Sequence, residues 1–250
     1  MSGHSKWAGI KHKKAAQDKK RGKLFSKLSR AITVAAREGG GDPDMNATLA
    51  QAIQTAKDAN MPSDNIDRAV KKGTGEDGDG ADIIQLTYEG YGPSGVAVYV
   101  TALTDNRNRA AADVRHIFES HGGKLGTDGS VAWLFERKGV ILVEREEYDE
   151  DQVILAALEA GAEDVITDSG GYEIRTLPEE FMAVRKGLQE ADIHYSSADL
   201  TMVPKTTVEL DEGDAKKTFR LMESLEDNDD VQDVYANFEV SDEIMESISG

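Results

Sequence analysis

Residues 86–100 read Leu86-Thr-Tyr-Glu-Gly90-Tyr-Gly-Pro-Ser-Gly95-Val-Ala-Val-Tyr-Val100. Two β-rich runs flank a turn of glycine and proline, a pattern that predicts a β-hairpin. Thr104 or Asp105 then stands where a helix cap belongs. Ala110, Val114, Ile117 and His121 follow on one stripe at three- and four-residue spacing. Gly122-Gly123 ends that helix, because glycine accepts the left-handed conformation of helix termini. The run Val131-Ala-Trp133-Leu-Phe135 reads as the returning strand. This ββαβ unit still lacks a second helix and a fourth strand.

Downstream, Val140–Val143 reads as a strand. The helix from about Asp151 carries Val153, Ile154, Ala157 and Leu158 and ends at Gly161. Val165-Ile166 and Tyr172–Ile174 flank Ser169-Gly170-Gly171 as a second hairpin. Thr176-Leu-Pro-Glu179 is a capping box before a helix bearing Phe181, Val184 and Leu188, and Asp192 to Val203 contains the last strand. The order is βαββαβ, a ferredoxin-like unit complete within residues 138–205. The remaining residues supply one helix (Ala215, Phe219, Met222, Leu225) and one β-rich run (231–240). An isolated αβ pair has no core. The economical assembly lets this tail complete the middle unit, so that 81–137 with 206–250 forms one domain and 138–205 is inserted in it.

Upstream, Lys23 to Arg37 reads as a helix with an apolar stripe of Leu24, Leu28, Ala31, Ile32 and Ala35. Lys23, Lys27, Arg30 and Arg37 share an adjoining face as a cationic ridge. Gly39-Gly40-Gly41 ends it, and Asp42 with Pro43 opens the next helix, striped with Leu49, Ala52, Ile53 and Ala56. A third helix starts at Ser63 or Asp64, carries Ile66, Ala69 and Val70, and stops at Gly73. Residues 1–80 are thus a basic arm plus three helices, and 73–80 are a linker. Asp77 and Asp79 have calcium-loop spacing, but Ala81 and Asp82 occupy the third-ligand and turn-glycine positions. The fold class is α+β: an N-terminal three-helix domain, then two ferredoxin-like α/β domains, one inserted in the other.

Charge is segregated. Residues 1–37 hold eleven Lys and Arg and one acidic residue, Asp18, a net of +10. The remainder holds 18 Lys and Arg against 46 Asp and Glu, a net of −28, within a total of −18. An acidic body repels nucleic acid, so contact with it falls to the basic segment. Lys6, Lys11, Lys13, Lys14, Lys19, Lys20 and Arg21 are interleaved with Trp7, His4 and His12, a composition suited to phosphate contact and base stacking. Such a run is disordered alone and orders on a polyanion. The candidate nucleic-acid-binding residues are therefore Lys6, Trp7, Lys11, His12, Lys13, Lys14, Lys19, Lys20, Arg21, Lys23, Lys27 and Arg30.

Thr104-Asp-Asn-Arg107-Asn-Arg109 adds two more. Arg107 and Arg109 occupy the first turn of a helix, where the macrodipole disfavours cations. That placement points either to a ligand anion or to an ion pair with the acidic body. Trp133 and Phe135 share a strand face with Val131; core packing is the expectation, base stacking the alternative.

No enzyme is indicated. Gly90-Tyr-Gly92-Pro-Ser-Gly95 matches GxGxxG in letters, but a strand follows where a dinucleotide site needs a helix. GxSxG, HExxH, P-loop and kinase segments do not occur. There is no cysteine, the five histidines are scattered, and no catalytic residue, metal or cofactor is expected. No apolar run approaches membrane-span length, so a soluble cytoplasmic protein is the default.

Ser2-Gly-His-Ser-Lys-Trp7, Lys11-His-Lys-Lys14, Asp64-Asn-Ile-Asp-Arg-Ala69, Tyr88-Glu-Gly-Tyr-Gly92 and Thr104-Asp-Asn-Arg-Asn-Arg109 together resemble the YebC/PmpR family over almost the whole chain. The resemblance implies a helical domain followed by two ferredoxin-like domains. It also implies a cytoplasmic transcriptional regulator that binds promoter DNA. A second description within the same resemblance, shared with mitochondrial translational activators, implies a ribosome-associated factor that contacts ribosomal RNA and relieves stalling at proline-rich sequences. No helix-turn-helix with a convincing recognition helix is present, and a flexible Lys-rich arm is at least as natural on folded RNA, so the physics leans slightly to RNA while the family description leans to DNA.

Overall fold

The computed structural model describes residues 18–76, 83–145, 148–168 and 170–249. Three helices come first: α1 (Asp18–Gly39), α2 (Ala47–Asp58) and α3 (Ser63–Thr74). Ile32, Ala35 and Ala36 pack with Leu49, Ala56, Ile66 and Ala69 in their shared core. Helix α1 begins five residues before the expected Lys23. The cap of α2 is Asn46, not Asp42. The buried Asn46 amide accepts from Leu49 N at 3.1 Å and donates to Ala35 O and Gly40 O, each at 2.8 Å. One side chain thus closes α1 and opens α2.

Gly73 lies inside α3, which runs to Thr74 before Gly75 turns left-handed at φ 78°. A Cβ on Gly73 would stand 2.4 Å from Thr33 O and 2.7 Å from Ala36 Cβ. The glycine is there so that α1 and α3 can touch.

Strands β1 (Ile84–Tyr91) and β2 (Ala97–Thr104) form the expected hairpin, with Leu86 opposite Ala102 and Gly90 opposite Val98. After α4 (Arg107–Ser120), β3 (Lys124–Leu125) pairs with the other edge of β1. The third strand is therefore Lys124–Leu125. The expected strand Val131–Phe135 is instead one 3-10 turn, Ala132–Leu134. Phe135 opens β4 (Phe135–Glu144), which belongs to a different sheet. Glu89 explains the turn. Its buried carboxylate accepts from Gly129 N and Val131 N at 2.6 Å and from Ala132 N at 2.7 Å. Backbone donors committed to a carboxylate cannot serve a strand ladder.

After β4 come α5 (Glu150–Glu159), β5 (Asp164–Asp168), β6 (Gly171–Thr176), α6 (Phe181–Glu190) and β7 (Ser197–Pro204). Their sheet has the order β5-β6-β4-β7, antiparallel throughout, around a core that includes Ile141, Val153, Ile174, Phe181 and Leu188. This is a ferredoxin-like unit. β8 (Val208–Glu209) and α7 (Glu212–Glu226) then lead to β9 (Val231–Ala236), which pairs with β2 and completes the sheet β3-β1-β2-β9. In both sheets a strand–helix–strand crossover brackets a third strand: β1 lies between β2 and β3, and β6 lies between β4 and β5. They differ in where the chain enters, because β1 precedes its crossover. β10 (Phe238–Glu239) pairs in parallel with β8, and α8 (Asp242–Ser249) lays Ile244, Met245 and Ile248 on the first sheet's core.

The fold is thus α+β, three helices followed by two ferredoxin-like units, one inserted in the other. Among the described residues, no helix is long and apolar enough to cross a membrane.

Candidate nucleic-acid interface

The arm leads directly into α1, so the fate of the α1 cations decides where a polyanion meets the body. Lys6, Trp7, Lys11, His12, Lys13 and Lys14 lie outside the described residues. Lys19, Lys20 and Arg21 ride on the first turns of α1, and their side chains are likewise outside the description.

The cationic ridge of α1 does not face solvent as a free surface. Lys23 donates to Asp227 O at 3.0 Å and Lys27 to Glu226 O at 2.6 Å. These are the last carbonyls of α7, which have no partner within their own helix and carry the negative end of its dipole. Arg30 donates to Asp229 O and to Asp230 Oδ1, the latter at 3.1 Å. Arg37 donates to Ile83 O. Val34 of α1 packs against Ile83 and Leu103 beneath this row. The ridge is the seam that docks the helical unit onto the first sheet.

Arg109 joins the same seam. Asn106, rather than Thr104 or Asp105, caps α4, accepting from Arg109 N at 3.0 Å. The Arg109 guanidinium then reaches Asp105 at 2.8 Å and Asp230 at 3.0 Å. Of the two readings open for Arg109, the ion pair with the acidic body is the arrangement present. Its hydrogen bond and charge hold the Asp105 carboxyl below its ordinary pKa. Asp230, with its side chain only 6% exposed, stands between Arg30 and Arg109 and takes both.

Arg107 is exposed and makes no ion pair among the described residues. Its charge is felt at Tyr88, whose hydroxyl is buried without a partner among the described residues. Burial and then the Asp230 charge raise the Tyr88 pKa, while Arg107 acts in the opposite sense.

Reading the sequence missed the cations of α3. Arg68, Lys71 and Lys72 are exposed and have no ion pair among the described residues. Lys71 and Lys72 fall in the last turn, where the dipole favours cations, and so read as ordinary helix termination, while Arg68 enters the sequence reading only as a letter of the Asp64–Ala69 string.

The two aromatic residues of the 131–135 run part company. Phe135 is buried with Ala97, Val131 and Tyr235 between the two sheets. Trp133 is 66% exposed, against the expectation of core packing. Its indole donates to Ser130 O at 3.2 Å, and Tyr91 donates to the same carbonyl at 3.0 Å. Burial alone would raise the Glu89 pKa. The N–H groups of Val131, Gly129 and Ala132 outweigh it and hold the carboxyl below its ordinary value. The loop presenting Trp133 therefore hangs on a buried charge.

Residues 5–76 match the family model of the TACO1/YebC protein N-terminal domain, and residues 83–238 match that of the TACO1/YebC second and third domain. The chain belongs to the TACO1/YebC family. Two relatives from this family's range are each called a probable transcriptional regulatory protein. The one from Rubrobacter xylanophilus is 62% identical over 250 residues, covering all of both chains. The one from Halothermothrix orenii is 58% identical over 252 residues, covering all of this chain and 99% of its own. A crystal structure of a conserved hypothetical protein from Aquifex aeolicus superposes with a TM-score of 0.83 at 50% identity, over 94% of this chain and 97% of that one. TACO1/YebC membership accords with the motif strings at Ser2–Trp7, Lys11–Lys14, Asp64–Ala69, Tyr88–Gly92 and Thr104–Arg109.

Proposed function

We propose that this chain is a cytoplasmic, DNA-binding regulator of transcription that holds its target through the basic arm, with Arg107 as a contact on the folded body. The observation that carries this reading is the segregation of charge: +10 in residues 1–37 against −28 in the rest. A polyanion approaching such a body is steered to one end. The relatives' shared description as probable transcriptional regulatory proteins favours DNA over the ribosome.

The arm supplies affinity with little register, and cations fixed on folded elements supply orientation. In this scheme Lys6, Trp7, Lys11, His12, Lys13, Lys14, Lys19, Lys20 and Arg21 neutralise phosphates or stack on bases. Arg107 is a second, rigid contact on the middle unit. Lys23, Lys27, Arg30 and Arg109 serve indirectly, by fixing the helical unit on the sheet.

The test is anisotropy binding of the full chain to a labelled mixed-sequence DNA duplex at about 50 mM salt, where phosphate contacts are strong, beside co-sedimentation with ribosomes. We expect salt-sensitive duplex binding that falls when Lys6, Lys11, Lys13 and Lys14 are all changed to Gln. Co-sedimentation with ribosomes and no duplex binding would overturn the proposal in favour of a translation factor.

A further inference from the structure

Helices α1 and α3 run side by side and touch where Gly73 meets Thr33. An open groove of about 330 Å³ lies along them, lined from Phe25 to Thr33 on α1 and from Asn65 to Lys72 on α3. The five polar side chains of Ser26, Ser29, Asn65, Arg68 and Lys72 line it beside Phe25, Ala69 and Ile83. None of the five has a hydrogen bond or ion pair with another described residue. Thr33, also in the lining, is satisfied internally by donating to Ser29 O at 2.8 Å and Ala69 O at 3.1 Å. Arg30 lines the groove too, but its charge is committed to Asp230.

We infer that this groove binds the phosphodiester backbone of a nucleic acid, with Arg68 and Lys72 as its charged contacts and Ser26, Ser29 and Asn65 as its neutral donors. Arg, Lys, Ser and Asn side chains are the types that contact phosphate and sugar, and they fix register without reading sequence. Asp64 lies one turn before Arg68 on α3 but makes no ion pair with it. Small side chains at positions 26 and 29 keep the space open where α1 would otherwise fill it. One wall is α1, whose first turns carry Lys19, Lys20 and Arg21 in the sequence. The inference rests on the DNA-binding reading above and adds the place where the duplex backbone is seated.

The test compares two charge-matched double variants of the full chain, binding the same labelled duplex across a salt series. Arg68→Gln with Lys72→Gln removes two charges from the groove. Lys57→Gln with Lys71→Gln removes two exposed charges from α2 and α3 outside it. Two lost phosphate contacts reduce the log–log salt slope by about two, uniformly across sequences. We expect that reduction for the groove pair, little change for the control pair, and recovery with Arg68→Lys and Lys72→Arg. Melting temperatures of all variants check that folding is unaffected. Equal losses in both pairs, or none in the groove pair while the parent binds, would overturn the groove. Failure of the parent to bind duplex at all would instead remove the function reading, and the groove with it.

Discussion

The helical unit carries two sets of cations, and they meet different things. Lys23, Lys27, Arg30 and Arg37 on α1 find carbonyls and carboxylates of the first sheet's unit. Arg68 and Lys72 on α3 find no described partner. Both sets look alike in the sequence: basic residues at helical spacing beside an apolar stripe. The difference teaches that a cationic ridge is available to a ligand only if the fold has not already used it. Here the fold uses the ridge on α1 as a fastening and leaves the one on α3 open.

The strongest way to break this contrast is at Asp230. Asp230→Ala leaves Arg30 and Arg109 without their shared carboxylate. Arg109 keeps Asp105 and Arg30 keeps the Asp229 carbonyl, so the cost is that of the lost hydrogen bonds to a charged group, about 1.5 to 3 kcal/mol. Thermal melting should fall by several degrees, at about 2 to 4 °C per kcal/mol for a chain of this size. An unchanged melting temperature would mean the seam does not hold the two units together.

Gly73→Ala tests the other face of α1. The added methyl meets Thr33 O and Ala36, and overpacking of this kind costs about 1 to 3 kcal/mol. The helices must separate, so the groove between them should also change its affinity for duplex. A variant as stable as the parent would show that α1 and α3 have slack at their contact.

The same logic with the sign reversed holds at Glu89, an anion neutralised by backbone N–H groups. Its pKa is lowered in the folded state. Its stabilisation is therefore fully present above the ordinary unfolded value, about 4.3, and is lost as pH falls through the folded value. In a Trp7→Phe background, Trp133 fluorescence should report the 126–134 loop letting go in that acid range. Glu89→Gln should release it at neutral pH at a cost of about 1 to 3 kcal/mol. Fluorescence identical in parent and variant from neutral to acid pH would mean the carboxylate does not hold the loop.

What was legible in the sequence follows from how local the deciding interactions are. The hairpin at 86–100, the α4 stripe and the βαββαβ order of the insert rest on periodicity and turn residues, which are local. The β-rich composition of Val131–Phe135 predicts a strand. The structure makes it a turn because Glu89, some forty residues earlier, takes its N–H groups. The same composition predicts a core position for Trp133, which the turn instead leaves exposed. The seam was illegible in kind: Lys27 and its acceptor at Glu226 are 199 residues apart. Arg109 was recognisably misplaced against the helix dipole, and only the fold shows that Asp105 and Asp230 offset it.

The smallest stability effect belongs to the ridge lysines. Lys23 and Asp227 are 48% and 63% exposed in their side chains, so their pairing contributes at most ~1 kcal/mol. That mild cost makes the ridge suitable for the most direct test, the salt dependence of duplex affinity for two equal losses of charge in the full chain. Lys13→Gln with Lys14→Gln removes arm charges, and Lys23→Gln with Lys27→Gln removes ridge charges. We expect the arm pair to reduce the log–log slope by about two, from a parent value of roughly −4 to −6, and the ridge pair to leave it unchanged. Equal flattening by both pairs would contradict the division between fastened and free cations.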